Sequence, residues 1–413
     1  MEYSQSEVMQ YVAENDVKFI KLLFTDIFGE VKSISVQPSV LKRAFQDGIS
    51  FDASAIRGFL NVSKSDLVIK PDSTTLSVLP WRPQRGRVAR LYCGISYPDG
   101  TPFEGDSRHI LKKVLEKCDK AGYSVKVGTE CEFYLFNLDE KGMPTKTPQD
   151  YASYCDLAPL DKGENVRRDI ILNLEQMGIV PETSHHESGP GQNEIDFKYD
   201  DAMRAADNVS TFKTTVRTIA SQAGLYASFE PKPLDGEAGN GFHVNLSLHK
   251  DGENLFAKDS PEAKSFTAGI LKRSREIAAF TNPVQRSYMR LGQFEAPKYV
   301  SWSRQNRSQL IRVPAAEGEL SRIELRSPDT KCNQYLVLAL VIAAGLEGME
   351  KKLELPSPVD LDLYNASEKD VASLEMLPAD LDEALKIAAG SDFVKSVVPE
   401  NTLRSYIENA LGK

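Results

Sequence analysis

Four stretches of the sequence alternate ionisable side chains with apolar ones. In VKVGTECEFYLF, Glu130 and Glu132 share every second position with Gly128 and Tyr134, against Val127, Phe133 and Leu135. In GQNEIDF, Glu194 alternates against Ile195, and Glu187 lies just upstream. In GFHVNLSL, His243, Asn245 and Ser247 oppose Val244, Leu246 and Leu248. In SRIELRS, Arg322, Glu324 and Arg326 oppose Ile323 and Leu325. A strand sends alternate side chains to opposite faces. If these strands share one sheet, five glutamates, a histidine and two arginines line one cavity.

An antiparallel sheet with one wet face shows the same alternation. Wet faces, however, mix Lys, Thr, Ser and Gln, whereas carboxylates dominate two of these strands and arginines flank a carboxylate on a third. Packed carboxylates repel unless a cation sits between them. Oxygen ligands with one imidazole suit Mg²⁺ or Mn²⁺ better than zinc, and arginines beside such ions suit phosphate oxygens. The pattern predicts a metal–nucleotide site for phosphoryl transfer. Arg304, Arg307 and Arg312 in SRQNRSQLIRVP read alone as a solvated basic loop, and beside Arg322 and Arg326 as a phosphate clamp. His185–His186 reads as a pair of surface-loop histidines. No GxxxxGK[ST], GxSxG, HExxH or kinase-type catalytic loop occurs, and the glycines from Gly236 to Gly241 do not form a dinucleotide fingerprint.

The elements that must carry these residues can be read from capping and periodicity. Ser4 and Glu7 have capping-box spacing before a short amphipathic helix. Val17–Phe24 and Val31–Val36 read as a hairpin about Asp26–Gly29, and β-rich sequence continues to Ile95. Asp106 or Ser107 caps a helix running through Lys117. The expected boundary therefore falls near residue 103, with a small β-rich domain over 1–103 and a mixed domain over 104–413. Phe212, Val216, Ile219 and Ala223 mark a helix stopping at Gly224, and the tail after Leu353 reads as short surface helices. At 413 residues the chain is long enough for two cores. Fifty basic against 59 acidic residues, net −9, argue against a nucleic-acid or anionic-membrane surface. Five scattered cysteines without a CxxC point to a reducing cytoplasm. No secretory leader is visible in MEYSQSEVMQ, and the apolar run Tyr335–Leu346 is too short for a membrane span.

At these residues the sequence resembles glutamine synthetase of the bacterial type I class. The resemblance is carried by FTDIFGEVKSISV, FDASAIRGF, SDLVIKPD, PDGTPFEGD, TECEFYLF, LAPLDKGENVRRDI, SHHESGPGQNEIDFKY, FEPKPL, GNGFHVNLSL, NPVQRSYMRL, FEAP, SRQNRSQLIRVPA and RIELRSPD, in family order. It implies an α+β fold, a small β-grasp domain followed by a catalytic domain with a curved antiparallel sheet of the glutamine synthetase/guanido kinase type. It implies a glutamate–ammonia ligase working through γ-glutamyl phosphate, with ATP as co-substrate and two or more Mg²⁺ or Mn²⁺ ions per site. It also implies a homo-oligomer, a hexameric ring or double ring, with active sites between subunits.

Residue by residue, the resemblance makes Glu132, Glu187 and Glu194 ligands of one metal, and Glu130, His243 and Glu324 ligands of the second. Arg307, Arg312 and Arg322 would hold phosphates, with Tyr199 and Ser247 on the adenine side. Arg290 and Arg326 would hold the substrate's carboxylates, with Gly239 approaching its backbone and Glu132 beside it. Glu295 resembles the flap glutamate that takes a proton from ammonium, and Asp52 the neighbouring subunit's residue that deprotonates it. Tyr154 and Glu187 would complete the ammonium pocket.

Departures from the family pattern bear on the substrate. Ala55 replaces a serine, Ala238 an asparagine, and the flap Arg290–Leu–Gly–Gln–Phe–Glu295 is one residue shorter. These changes keep open a γ-glutamyl-amine ligase using a small amine or polyamine, and a non-catalytic sensor is the remaining reading. The segment Tyr406–Lys413 lacks the basic, Trp- and His-containing tail of the class, which leaves ring stacking open. Asn61 and Tyr364 lack the family features tied to feedback and adenylylation, so neither control is expected.

Overall fold

The computed structural model describes residues 3–411; Met1, Glu2, Gly412 and Lys413, the ends of the two terminal stretches read above, lie outside the described residues. The helix Gln5–Glu14 starts as its spacing requires: the Ser4 hydroxyl accepts from Glu7 N–H and the Glu7 carboxylate accepts from Ser4 N–H. Val8 and Val12 from that helix, with Leu41, Ala44 and Phe45 from the helix Pro38–Gln46, cover one face of a six-stranded sheet. Its strands are β1 (Val17–Thr25), β2 (Val31–Val36), β3 (Ile49–Asp52), β4 (Asp66–Pro71), β5 (Ser77–Val78) and β6 (Arg87–Ser96), in the order β2-β1-β6-β4-β3 with β5 on β6. β1 and β6 run parallel at the centre, and β1–β2, β4–β6 and β3–β4 pair antiparallel.

A second, ten-stranded sheet comprises β7 (Ser124–Leu138), β8 (Pro144–Pro148), β9 (Pro181–His186), β10 (Gln192–Asp201), β11 (Leu225–Ser228), β12 (Phe242–Lys250), β13 (Glu253–Asn254), β14 (Trp302–Arg304), β15 (Ile311–Val313) and β16 (Ile323–Leu325). Its order is β14-β15-β16-β12-β7-β10-β9, antiparallel apart from the β14–β15 pair. The apolar alternates, among them Val127, Phe133, Ile195, Val244, Leu246, Ile323 and Leu325, enter one core with the helices Ser107–Lys120, Ala202–Gln222 and Gln334–Glu350. The ionisable alternates are left on the opposite face. The run Tyr335–Leu346 is a buried helix, and no helix among the described residues is long and apolar enough to cross a membrane.

The tail departs from the surface helices expected of it. Leu381–Gly390, Asp392–Val397 and Glu400–Ala410 bury Ala384, Leu385, Ala388, Val394, Leu403 and Tyr406 in the large core. Leu381–Gly390 and Glu400–Ala410 are amphipathic, their charged residues flanking a narrow apolar stripe. The last helix also ties the two sheets together. Tyr406 stacks between Phe28 (5.1 Å) and Phe280 (4.7 Å), Ser405 Oγ donates to Gly58 O, and Thr402 Oγ1 to Glu104 O. Nearby, Ile27 is fully buried in the large core, beneath Asn333, whose Nδ2 donates to Ile27 O. Arg108 bridges Asp207 and Asp72, both at 2.9 Å.

Candidate functional site

The strand register decides which ionisable residues meet. β10, β7, β12 and β16 are successive neighbours. Glu132 lies opposite Glu194, and Glu130 lies between Asp196 on one side and His243 on the other. Asn245 pairs with Glu324, and Glu324 with Arg312. The alternation found in four separate stretches is thus one continuous ionisable surface.

Two clusters stand on it. In the first, His243 Nδ1 lies 3.1 Å from Glu130 Oε2 and 3.6 Å from Glu324 Oε1, and Asn245 Nδ2 donates to Glu130 Oε1 at 2.9 Å. In the second, His185 Nε2 lies 3.0 Å from Glu187 Oε1 and 3.9 Å from Glu194 Oε1. Glu132 sits beside them and accepts from Gln192 Nε2 (2.9 Å) and Gly241 N–H (2.8 Å). Gly241 has no room for a side chain: a Cβ would lie 2.7 Å from His243 Nε2 and 2.9 Å from Arg290 Nη2.

The electrostatics call for a cation. Burial, then Asp196, Glu132, Glu130 and Glu187, push the Glu194 carboxyl well above its usual range. Burial likewise raises Glu132, and it raises Asp196 to about 6, with Glu130 adding to the effect. Glu130 is held down, to about 2, by His243 against its own burial, and Glu187 is held low by His185 and Ser188 in the same way. A hard divalent ion fits these carboxylate oxygens, joined by the His243 imidazole in the first cluster and with His185 bordering the second, and would favour the ionised form of each raised group.

Cationic groups border the clusters on two sides. Arg312 Nη1 donates to Glu324 Oε2 at 2.6 Å, and Arg322 Nε to Asn245 Oδ1 at 2.8 Å. Arg322, Tyr199, Ser247, Gly128, Asn245 and Glu130 line a cavity of about 280 Å³. Arg307 is half-exposed, 4.0 Å from Glu295. Arg304 does not join them; it turns out to solvent and to Asp259 at 3.6 Å, so the basic run splits between the two faces of its loop. On the other side, Arg290 is 4 % exposed and donates only to the carbonyls of Ser327 and Arg326, with no carboxylate in ion-pair range among the described residues. Arg326 engages Glu324 and lies 3.6 Å from Glu295. Gly239 packs against Arg290, where a Cβ would come within 2.9 Å of its Cγ.

Tyr154 is 55 % exposed and meets His185 edge-on at 5.2 Å. Asp52 is not brought to this site within the chain: it is exposed at the end of β3, where it caps the turn Ala53–Ala55 through Ser54.

The two histidines depart from the surface-loop reading. They end β9 rather than occupying a loop, which places His185 opposite Glu194 and His186 opposite Asn193. His186 is 1 % exposed; its ring nitrogens meet Asp150 Oδ1 (2.9 Å) and Glu187 O (2.6 Å), so it anchors both Glu187 and the loop carrying Tyr154. PETSHH carries no apolar alternation, and only its pairing to β10 reveals its role. Asp196 was also missed, although it follows Glu194 by the same two-residue step.

Models of two families match the chain: the glutamine synthetase β-grasp domain over residues 16–98 and the glutamine synthetase catalytic domain over residues 104–411. A glutamine synthetase of Clostridium saccharobutylicum is 46 % identical, covering 98 % of this chain and 94 % of the relative. One of Methanosarcina mazei is 46 % identical, covering 98 % and 92 %. Among solved structures, a GmaS/ADP complex superposes with a TM-score of 0.90 at 28 % identity, covering 98 % of this chain and 95 % of that one.

Proposed function

The chain belongs to the glutamine synthetase family, as an α+β ligase that makes glutamine from glutamate and ammonia with ATP, and from that premise we propose how its own residues divide the work. Glu132, Glu187 and Glu194 hold one divalent ion, and Glu130, His243 and Glu324 hold a second. Both ions are Mg²⁺ or Mn²⁺. The register that sets Glu130, Glu132, Glu194, His243 and Glu324 on four adjacent strands, with Glu187 just past the end of β9 and Arg312 and Arg322 beside them, is the observation that carries the proposal. The ions supply charge stabilisation between an incoming carboxylate and the triphosphate.

Tyr199 and Ser247 flank the adenine in the cavity they line, and Arg307, Arg312 and Arg322 take the phosphates. Arg290, a buried guanidinium without a carboxylate partner among the described residues, takes a carboxylate of glutamate, with Arg326 and the backbone at Gly239 completing that pocket. The γ-carboxylate oxygen attacks the terminal phosphorus and ADP leaves. Ammonia then attacks the acyl carbon, and phosphate leaves. Tyr154 and Glu187 hold ammonium, and Asp52 and Glu295 take up its proton. Asp52 comes from a neighbouring copy in a ring, six-membered and single or stacked. Its exposed position on the N-terminal sheet supports this, as do the exposed Tyr151, Tyr154, Leu157 and Leu160 beside the ammonium pocket. The division at residue 103 is part of the same reading, supported by two separate apolar cores. So is a cytoplasmic location, supported by five free cysteines, four of them buried.

The test is phosphate release from ATP with glutamate and Mg²⁺, comparing ammonium with a panel of amines. Ammonium-dependent release with glutamine as product is expected, leaving Ala55 and Ala238 as tolerated changes. Turnover with an amine alone would overturn the assignment and make those two positions its specificity determinants.

A further inference from the structure

Lys232 is 2 % exposed, and no carboxylate lies within ion-pair range of its ammonium among the described residues. A buried cation held by neutral groups is costly unless every N–H is used. Its Nζ donates to Glu237 O at 2.5 Å, reaches Gln293 Oε1 at 3.5 Å, and lies 4.6 Å from the centre of the Phe294 ring, within cation–π range.

These contacts join two segments that both border the glutamate pocket. The first is the loop Glu237–Gly239. Its carbonyls are drawn away one after another: Glu237 O by Lys232, Ala238 O by Tyr134 Oη (2.6 Å) and Gly239 O by Gln192 Nε2 (3.1 Å). The base of the loop is fixed by Arg286, which donates to Lys232 O and Asp235. The second segment is the flap. Phe294 and Glu295 are consecutive non-glycine residues in the left-handed region, with φ of 45° and 66°. Such backbone costs on the order of 1–3 kcal/mol per residue and persists only where its surroundings impose it. Two groups from outside the flap impose it: Lys232 on Gln293 and Phe294, and Arg326 Nη2, which donates to Glu295 O at 3.3 Å.

We propose that Lys232 is a positioning residue that locks the glutamate loop to the flap, so that Glu295 closes the site only over a correctly seated substrate. The inference rests on the flap role given to Glu295 above. A flap that fails to lock admits water to the acyl phosphate. Water then attacks the acyl carbon in place of ammonia, returning glutamate and phosphate.

Lys232→Met keeps the bulk of the side chain and removes its charge and donors. KM for glutamate should rise about tenfold, the scale of one charge-assisted hydrogen bond, with kcat less affected. Phosphate released per glutamine formed should climb from about one to several, a ratio that a purely structural brace would not move. Phe294→Leu, at a half-exposed position, should move the same ratio by about two- to fivefold through loss of the ring face. If folded Lys232→Met and Phe294→Leu both keep the parent KM and ratio, the proposal fails; should Lys232→Met not fold, Phe294→Leu decides alone. Glu295→Ala separates the two readings. Its wild-type behaviour would remove the flap role itself, whereas loss of activity there alongside unaffected Lys232 and Phe294 variants would remove only the coupling.

Discussion

Removing divalent metal should make the stability of this protein fall behind that of its metal-bound form progressively as pH rises. The raised carboxyls of Glu194, Glu132 and Asp196 bind protons in the metal-free fold that they would release when unfolded. A carboxyl raised in the fold contributes stability below its unfolded pKa and loses it as pH climbs through the folded value. For Asp196 the rise from 3.8 to about 6 amounts to about 3 kcal/mol, of which about 1.4 kcal/mol is lost above pH 5. Glu194 and Glu132 add loss of the same sign. His185 and His186, both raised by carboxylate partners against their burial, lose stability above 6.5 in the same direction, whereas His109 and His249, lowered by burial, work against it. The difference between metal-bound and metal-free curves cancels what the two states share. Thermal denaturation would be followed from about pH 5 to about pH 7.5, in EDTA and in saturating MgCl₂. Metal requires ionised ligands and releases their protons, so the gap in Tm should widen with pH, by about 1.5 °C for every 1.4 kcal/mol recovered in a chain of 413 residues. A gap that stays constant or narrows would refute the cation-binding account of these carboxylates.

Glu324→Gln should abolish turnover and lower stability by about 3–5 kcal/mol, because Arg326 and Arg312 lose the carboxylate between them; chemical denaturation with parallel kinetics checks both. Gly241→Ala should remove most activity with only a small change in Tm, since its Cβ would press on His243 and Arg290 at the surface of the cavity; wild-type kinetics would show that this approach is not used. Asp52→Asn should slow ammonia use while sparing nucleotide binding. Mixing that variant with Arg307→Ala chains should restore some activity in mixed assemblies, and verified mixed rings without recovery would count against a shared site.

Much of the site was legible because strand periodicity is two and the carboxylates use it. Glu130, Glu132, His243 and Glu324 could be placed on one face from spacing alone, since each alternates with a residue now in the core. What spacing could not supply is register. That Glu132 meets Glu194 while Glu130 meets both His243 and Asp196 depends on how four separate stretches pair. His185 was invisible for that reason, because its only signal is the strand it pairs with. Lys232 was hidden differently: FEPKPL has no periodicity, and its ammonium gains meaning only from a flap some sixty residues away in sequence. The tail was misread because short amphipathic helices rich in Asp, Glu and Ala resemble solvated ones until the stripe Ala384–Leu385–Ala388 finds a core.

The clasp of Tyr406 between Phe28 and Phe280 has a bearing on how the chain is made. Synthesis proceeds from the N-terminus at roughly 5–20 residues per second, so the first sheet emerges complete while the helix Glu400–Ala410 does not yet exist. For roughly 15–60 seconds at that pace, Phe28 lacks the Tyr406 ring that covers it in the finished fold. The nascent protein therefore passes through a stage in which a finished module displays an apolar seam to its surroundings and to other nascent copies. Holding factors at the ribosome would find their substrate in that interval, whose length is set by the pace of synthesis between the first sheet and the last helix.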